Sequence, residues 1–439
     1  MKAMNAMKTT TRARGLRRAL IVLGLSAAAL AAVGAAVVAL NLHGEDALPA
    51  TPSIVDTSPA TIERGRYLAL AGNCAGCHSV RGGAPYAGGL AIATPFGRIY
   101  SSNLTPDAAT GLGEWSADHF WRAMHNGRSK DGHLLYPAFP YTSFTKISRA
   151  DSDALYAYLR SLPPVVRANS AHTLRFPYST QAALAVWRAL FFEPGADVPV
   201  AGESAQWNRG AYLVNGLGHC IACHGPRNAL GATQVQLGLS GSLIPGEHWY
   251  APSLASPREA GVARWPAQDI VALLKTGIAP GASVMGPMAD VVYRSTQYLH
   301  DDDLAAMAAY LQKLPASDAP VDEAPAPTTR RDAGTMERGA RIYDQQCAYC
   351  HGDAGQGAAG AYPPLAGNRA VTMASPVNLI EVVRRGGFLP ATEGNPRPYG
   401  MPPFGQVLDD DGIAQVLTYI RGAWGNDAPP VRRSDTLQR

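Results

Sequence analysis

All six cysteines of the chain fall in three Cys-x-x-Cys-His pentapeptides: Cys74-Ala75-Gly76-Cys77-His78, Cys220-Ile221-Ala222-Cys223-His224 and Cys347-Ala348-Tyr349-Cys350-His351. Two thiols three residues apart share one helical turn, so each can add to one vinyl group of a single haem. The adjoining imidazole then falls under the iron. The pattern predicts three covalently bound haem c groups, attached through Cys74, Cys77, Cys220, Cys223, Cys347 and Cys350, with His78, His224 and His351 as proximal iron ligands. Other uses of the motif fit less well. Zinc takes four ligands, usually from paired clusters, which three isolated Cys-x-x-Cys units do not supply. A thioredoxin-type dithiol calls for one such motif in a βαβ setting. Disulfides inside each motif leave the three histidines unexplained.

A low-spin electron-transfer haem needs a second axial ligand, commonly a methionine thioether. The third repeat offers Met401 in Gly400-Met401-Pro402-Pro403-Phe404, with Met373 as its nearby rival; the second offers Met285 and Met288, and Met288 is flanked like Met401. Met288 and Met401 are therefore the expected ligands, whereas Met124 and Met307 sit at helical apolar positions and read as core. The first repeat departs from this rule. With Gly127 and Gly277 taken as equivalent, the ligand loop comes 12 residues later in one and 11 in the other, which places Phe139, in Tyr136-Pro137-Ala138-Phe139-Pro140-Tyr141, where Met288 stands. Phenylalanine has no lone pair for iron. The first haem is then either five-coordinate or ligated by Met124, His125 or His133, and His133, in the loop itself, is the preferred candidate. Behind each proximal histidine a backbone carbonyl should accept the Nδ1 proton and fix the ring. Ser102-Asn103-Leu104, Pro252-Ser253-Leu254 and Pro363-Pro364-Leu365 lie at comparable places to provide it.

The elements that must position these groups recur three times. Glu63-Arg64-Gly65-Arg66-Tyr67, Asn208-Arg209-Gly210-Ala211-Tyr212 and Glu337-Arg338-Gly339-Ala340 each precede a motif and open a short helix leading into it. Each repeat closes on a helical stretch: Ser152–Leu162, Asp303–Leu314 and Gly412–Trp424. There Leu155, Tyr158 and Leu159 correspond to Met307, Tyr310 and Leu311 and to Val416, Tyr419 and Ile420, an i, i+3, i+4 core stripe. The expected fold class is mostly α: three tandem class I cytochrome c-like domains behind an N-terminal transmembrane or signal helix. The boundaries read as a leader over 1–45, domains over 58–163, 207–315 and 335–426, an insert over 164–206, a Pro/Ala-rich linker over 316–334 and a polar tail over 427–439. Within the insert, Gln181–Phe192 is apolar but too short to span a bilayer. It packs between domains or offers a docking face to a partner subunit or the membrane.

From Ala19 to Leu42 the chain carries no charge, and six Lys or Arg precede it. The 22 residues from Ala19 to Leu40 reach about 33 Å as a helix, enough to cross a bilayer with the N-terminus left in the cytoplasm. A cleavable signal has a shorter apolar core. The length favours an uncleaved anchor in the bacterial inner (cell) membrane, with everything beyond about residue 43 facing the periplasm; a cleaved signal is the alternative. At 439 residues, 46% apolar and 16% charged, the chain has room for about three packed domains. Past the leader, 32 basic residues face 34 acidic ones, so the body is close to neutral and no nucleic-acid partner is expected.

The longer strings resemble one family, the three-haem cytochrome c subunits of membrane-bound periplasmic dehydrogenases acting on alcohols, gluconate and sorbitol. The resemblance runs over about residues 60–425 and rests on Arg64-Gly65-Arg66-Tyr67-Leu68, Thr94-Pro95-Phe96-Gly97-Arg98-Ile99-Tyr100 and Tyr136-Pro137-Ala138-x-Pro140-Tyr141. It continues through Gly286-Pro287-Met288-Ala289, Ser295-Thr296-Gln297-Tyr298-Leu299 and Met401-Pro402-Pro403-Phe404. The family usually has Met where this chain has Phe139. The Phe form is similar to cytochrome subunits that accompany molybdenum hydroxylases. The resemblance implies an electron-transfer subunit. Its partners would be a catalytic dehydrogenase large subunit (quinoprotein, flavoprotein or molybdenum hydroxylase), the membrane, and ubiquinone or another respiratory electron acceptor. No cysteine cluster beyond the three motifs is present, so substrate oxidation is expected on another polypeptide. Two other readings remain: a peroxidase-like haem enzyme with an open iron at the first haem, where Arg128 and His133 could serve as donors, and a subunit of a terminal oxidase.

Overall fold

The computed structural model describes residues 2–45, 47–316 and 331–437, with side chains from Leu20 onward. Most of the expected linker, 317–330, lies outside the described residues. The protein is mostly helical. In chain order the principal helices are α1 (Lys2–His43), α2 (Pro59–Ala71), α3 (Ala117–Asn126), α4 (Arg149–Ser161), α5 (Gln181–Phe191), α6 (Ala205–Asn215), α7 (Ala267–Thr276), α8 (Asp301–Gln312), α9 (Ala333–Gln346), α10 (Val377–Arg385) and α11 (Asp410–Ile420).

Side-chain caps set where the opening and closing helices begin. Ser58, Ser204 and Asp332 accept backbone N–H bonds from Thr61, Trp207 and Thr335 at the starts of α2, α6 and α9. Ser148 and Asp409 do the same for α4 and α11. The last closing helix stops at Ile420, short of the expected Trp424, because the chain turns there and Trp424 has a positive φ of 54°.

Opening and closing helices pack in pairs: α2 on α4, α6 on α8, α9 on α11. The glycine of each Arg-Gly string sits at the crossing. A Cβ on Gly65 would stand 1.9 Å from the Ala154 carbonyl oxygen, one on Gly210 1.9 Å from that of Ala306, and one on Gly339 2.3 Å from that of Gln415. The stripe residues of the closing helices are buried in three separate clusters. Leu155 and Leu159 pack with Leu68, Phe120 and Met124; Met307 and Leu311 with Leu213, Ile270 and Leu274; Val416 and Ile420 with Tyr343, Leu379 and Ile413.

Between the paired helices each repeat inserts a middle helix ended by a glycine: α3 by Gly127, α7 by Gly277 and α10 by Gly386. A short antiparallel return follows. It is a bridge between Arg128 and Leu134 in the first repeat, the pairing of Ile278 with Ser283 in the second, and that of Gly387 with Met401 in the third. Strands β1 (Ala91–Thr94), β2 (Gly97–Tyr100) and β3 (Thr173–Leu174) form an antiparallel sheet in that order and tie the insert to the first repeat.

The first two repeats are joined by a reciprocal exchange. Tyr67 on α2 donates to Asp303 on α8 (2.6 Å), whose carboxylate also holds Arg209 at 2.7 and 2.8 Å. Tyr212 on α6 donates to Asp151 on α4, which holds Arg64. Each phenol oxygen also accepts the backbone N–H at the start of the opposite closing helix, from His300 and from Ser148. The third repeat docks on the second differently. The Asn378 amide bonds both the N–H and the carbonyl of Tyr250, each at 2.8 Å. Arg369 donates to the Gly261 and Pro257 carbonyls with its guanidinium 5.0 Å from the Trp265 ring. The segment after 427, read as a polar tail, packs onto the third repeat: Val431 and Thr436 are buried, and Thr418 bonds the Val431 backbone in both directions.

Candidate functional site

Each Cys-x-x-Cys-His motif forms a short helical turn directly after its opening helix, over Cys74–His78, Ile221–His224 and Ala348–His351. The three expected carbonyl acceptors are where the sequence placed them. His78 Nδ1 lies 2.7 Å from the Ser102 oxygen, His224 Nδ1 2.7 Å from that of Pro252, and His351 Nδ1 3.0 Å from that of Pro363. With Nδ1–H donated to a carbonyl, Nε2 is left as the lone-pair nitrogen. Burial holds all three imidazoles below their ordinary pKa, against the upward pull of the carbonyl bond, so each ring is neutral near pH 7 and able to ligate a metal. The leucine two residues past each acceptor, Leu104, Leu254 or Leu365, packs into the cluster of its own repeat.

Two cavities open beside these turns. One of about 280 Å³ is lined by Cys220, Cys223, His224 and Met288; the other, about 190 Å³, by Cys347, Cys350, His351 and Met401. Met373, the rival to Met401, faces the second repeat's cavity instead, and Met285 borders both. Ser283, Val284, Asn368 and Ala370 also line both cavities, so the two sites share a wall, and Ala71 and Asn73 of the first repeat reach the second repeat's cavity. The first motif's turn packs against the helix over Pro287–Arg294, with Cys77 near Cys223 and Asp290. Paired thiols, a neutral imidazole and a facing thioether around an apolar cavity are a donor set that fits a thioether-linked haem. Among the described residues no group of three or more His, Cys, Asp or Glu forms a metal cage, which leaves each turn to act on its own.

The first repeat differs. Cys74 and Phe139 pack in one cluster with Met124, which is buried as expected of a core residue. His133 is not in that cluster. Its side chain is 49% exposed, with Nδ1 2.5 Å from Asp131. His125, another candidate ligand, stacks on Trp121 at 4.5 Å. Arg128 is buried: its guanidinium donates to the Asn41, Leu42 and Gly132 carbonyls and pairs with Glu45 at 2.9 Å. It anchors the end of α1 and is not available as a donor to a distal pocket. Sequence reasoning missed Asn73 and His219, the residues preceding Cys74 and Cys220. Both have positive φ and both border the second repeat's cavity. Their matching place before a motif was the available signal.

Turns, acceptors and cavities of this kind define a c-type cytochrome, and comparison with known proteins agrees. Residues 62–163 match the cytochrome c family, and residues 334–420 match the family described as cytochrome c oxidase, cbb3-type, subunit III. Cytochrome c domains imply covalently bound haem c. The chain is 39% identical over 398 residues to the cytochrome c subunit of the quinone alcohol dehydrogenase of Gluconobacter oxydans, covering 88% of this chain and 83% of that one. It is 40% identical to the gluconate 2-dehydrogenase cytochrome c subunit of Pantoea cypripedii, with 86% and 91% covered. It is 41% identical to one of the subunits of the nicotinate dehydrogenase of Pseudomonas putida, covering 91% of this chain but only 33% of that longer protein. The chain belongs to the family of dehydrogenase cytochrome c subunits.

Proposed function

We propose that the chain is the three-haem electron-transfer subunit of a membrane-bound periplasmic dehydrogenase, passing electrons from a catalytic partner toward ubiquinone or another respiratory acceptor. Bound haem supplies one-electron exchange between ferric and ferrous iron. The residues of this chain do the holding and tuning. Cys74 and Cys77, Cys220 and Cys223, and Cys347 and Cys350 would form the thioethers; His78, His224 and His351 would supply imidazole to the iron, and Met288 and Met401 a thioether whose soft sulfur would favour the ferrous state. The three cytochrome c-like domains span 58–163, 207–315 and 335–426. α1 serves as the inner-membrane anchor: Leu20–His43 is 24 residues long, has a mean hydropathy of 2.4 and has none of its most apolar stretch buried in the protein.

The observation that carries this reading is the threefold recurrence of a Cys-x-x-Cys-His turn whose imidazole is fixed by a loop carbonyl. The names of the relatives point to an alcohol, gluconate, fructose or nicotinate as the partner's substrate, and the resemblance of the sequence adds an aldehyde or a molybdenum hydroxylase's substrate. At the first haem, Phe139 packs beside Cys74 while His133 is held at the surface by Asp131, which supports a five-coordinate iron over a His133 ligand. The peroxidase-like and terminal-oxidase readings are not favoured, since the relatives that span most of the chain are dehydrogenase subunits.

Mass spectrometry of the mature chain should find three porphyrin additions, and two or none would overturn the proposed count. The purified chain should show c-type spectra and oxidise no alcohol, sugar or aldehyde alone. Carbon monoxide should bind one of the three ferrous haems. If it binds none, the first iron has a sixth ligand, and comparison of His133→Ala with Met124→Leu identifies which side chain provides it.

A further inference from the structure

The insert helix α5 is built inside out. Its outward face consists of Ala182, Val186, Ala189 and Leu190, with Val186 39% and Leu190 62% exposed. Its two strongly polar side chains point the other way. The Gln181 amide bonds both the N–H and the carbonyl of Leu134, at 2.7 and 3.1 Å. Arg188 is buried, donating to the Asn126 carbonyl with its guanidinium against the rings of Tyr141 and Phe192. Trp187 completes the pattern by donating Nε1–H to the Leu230 carbonyl of the second repeat. A water-facing helix shows the reverse arrangement, with its polar side chains outward and its apolar stripe on the core.

What covers the apolar face follows from where α5 sits. It packs against the C-terminal end of α1: Val38 and Leu42 join Leu184, Ala185, Leu134 and Tyr136 in one cluster. Val38 lies five residues before the helix end at His43, a depth of about 7.5 Å along the axis at 1.5 Å per residue. Amphipathic helices in the plane of a membrane bury their apolar faces about 5–10 Å into the boundary of headgroups and acyl chains. The attitude of α5 to α1 is also fixed. Arg128 caps the last carbonyls of α1 and pairs with Glu45, which accepts from Asn126 at 2.6 Å, and Arg188 holds α5 to that same Asn126.

We propose that the outward face of α5 rests in the headgroup–acyl boundary of the bilayer crossed by α1, so that the first repeat sits on the membrane through two helices rather than hanging from one. This rests on the reading of α1 as a membrane anchor. Lipid is the occupant because the face is continuous with the span and presents no hydrogen-bonding group.

The test places the photo-crosslinking residue p-benzoylphenylalanine at Leu190, at Leu30 within α1, or at Val235, an exposed apolar residue of the second repeat. Each full-length variant is expressed in cells containing the native membrane and irradiated, and the adducts are identified by mass spectrometry. A native c-type absorption spectrum confirms that each variant is folded. Lipid adducts at Leu30 and Leu190, with none at Val235, are expected. Lipid at Leu30 but a polypeptide adduct at Leu190 would overturn the proposal in favour of a protein partner. Lipid at Leu30 with no adduct at Leu190 would overturn it in favour of water. Loss of the lipid adduct at Leu30 would sink the anchor reading; α5 would then stand as a membrane contact only if Leu190 still captured lipid.

Discussion

The first and second repeats are bound to each other by a device that the third lacks, although all three share the same helix crossing. At the place of Tyr67 and Tyr212 the third repeat has Arg341, which pairs within its own helix with Glu337 at 2.6 Å. At the place of Asp151 and Asp303 it has Gly412. Neither the phenol that reaches out nor the carboxylate that receives it is present. The third repeat instead attaches through side chains that bond a neighbour's backbone, Asn378 on Tyr250 and Arg369 on the loop before Trp265. The architecture is therefore a two-repeat body, closed by matched pairs, with a third repeat docked on one side. Internal packing repeats with the motif, while docking depends on residues outside it.

The sharpest test of what is shared is the glycine crossing. Gly65→Ala, Gly210→Ala and Gly339→Ala each drive a methyl into a carbonyl oxygen of the partner helix. Overpacking of a rigid backbone contact costs about 3 kcal/mol. Each variant's own repeat should unfold at a lower denaturant concentration than in wild type, read as loss of the native absorption of a haem that stays attached through its thioethers, by similar amounts in all three repeats. A neutral effect in one repeat alone would break the equivalence.

The exchange comes next in size and should matter only to the first two repeats. Burial pushes the Asp303 carboxyl up, but the hydrogen bonds of Arg209 and Tyr67 outweigh it and hold its pKa below the usual range. Asp303→Asn removes the charge facing Arg209, and with Arg209 about a third exposed the cost is about 2 kcal/mol. Tyr67→Phe should cost about 1 kcal/mol in wild type and much less in the Asp303→Asn background, since the two side chains form one unit. The pH dependence has a definite sign. A carboxyl with a depressed folded pKa contributes stability that is fully present above its unfolded value of about 3.9 and is lost as pH falls through the folded one. The stability gap between wild type and Asp303→Asn, from urea unfolding, should therefore hold from pH 7 to about 5 and close in stronger acid. A gap that widened in acid would remove Asp303 from the clasp.

Much of the site was legible because it is local. The motif turns, the Arg-Gly strings and the three carbonyl acceptors depend on short stretches whose chemistry allows few alternatives, and the closing helices announce their buried face through period alone. The exchange was not legible. Tyr67 and Asp303 lie 236 residues apart, and each is an ordinary member of a polar helix surface until the two repeats are placed together. The polarity of α5 was hidden for the opposite reason. Gln181 and Arg188 look like solvent-facing residues in an apolar run, and only the backbone of the loop at Leu134 and Asn126 turns them inward. His133 shows the limit of reasoning from loop position: a carboxylate two residues away holds it at the surface, while Phe139 packs with the cysteine.

The effect that most directly separates the two kinds of attachment is expected at Asn378. Its amide satisfies the N–H and the carbonyl of one residue, Tyr250, whose side chain is anchored separately on Glu259. Asn378→Ala leaves both backbone groups without a partner while the second repeat keeps its own core, so the cost falls on docking and amounts to about 1–2 kcal/mol. Hydrogen exchange should show the Tyr250 amide losing protection by that amount, with no change at the amides of Ser148 and His300 that bond the two phenols across the first interface. A matching loss at Ser148 would mean that the third repeat supports the clasp, and that the three repeats close as one body rather than two and one.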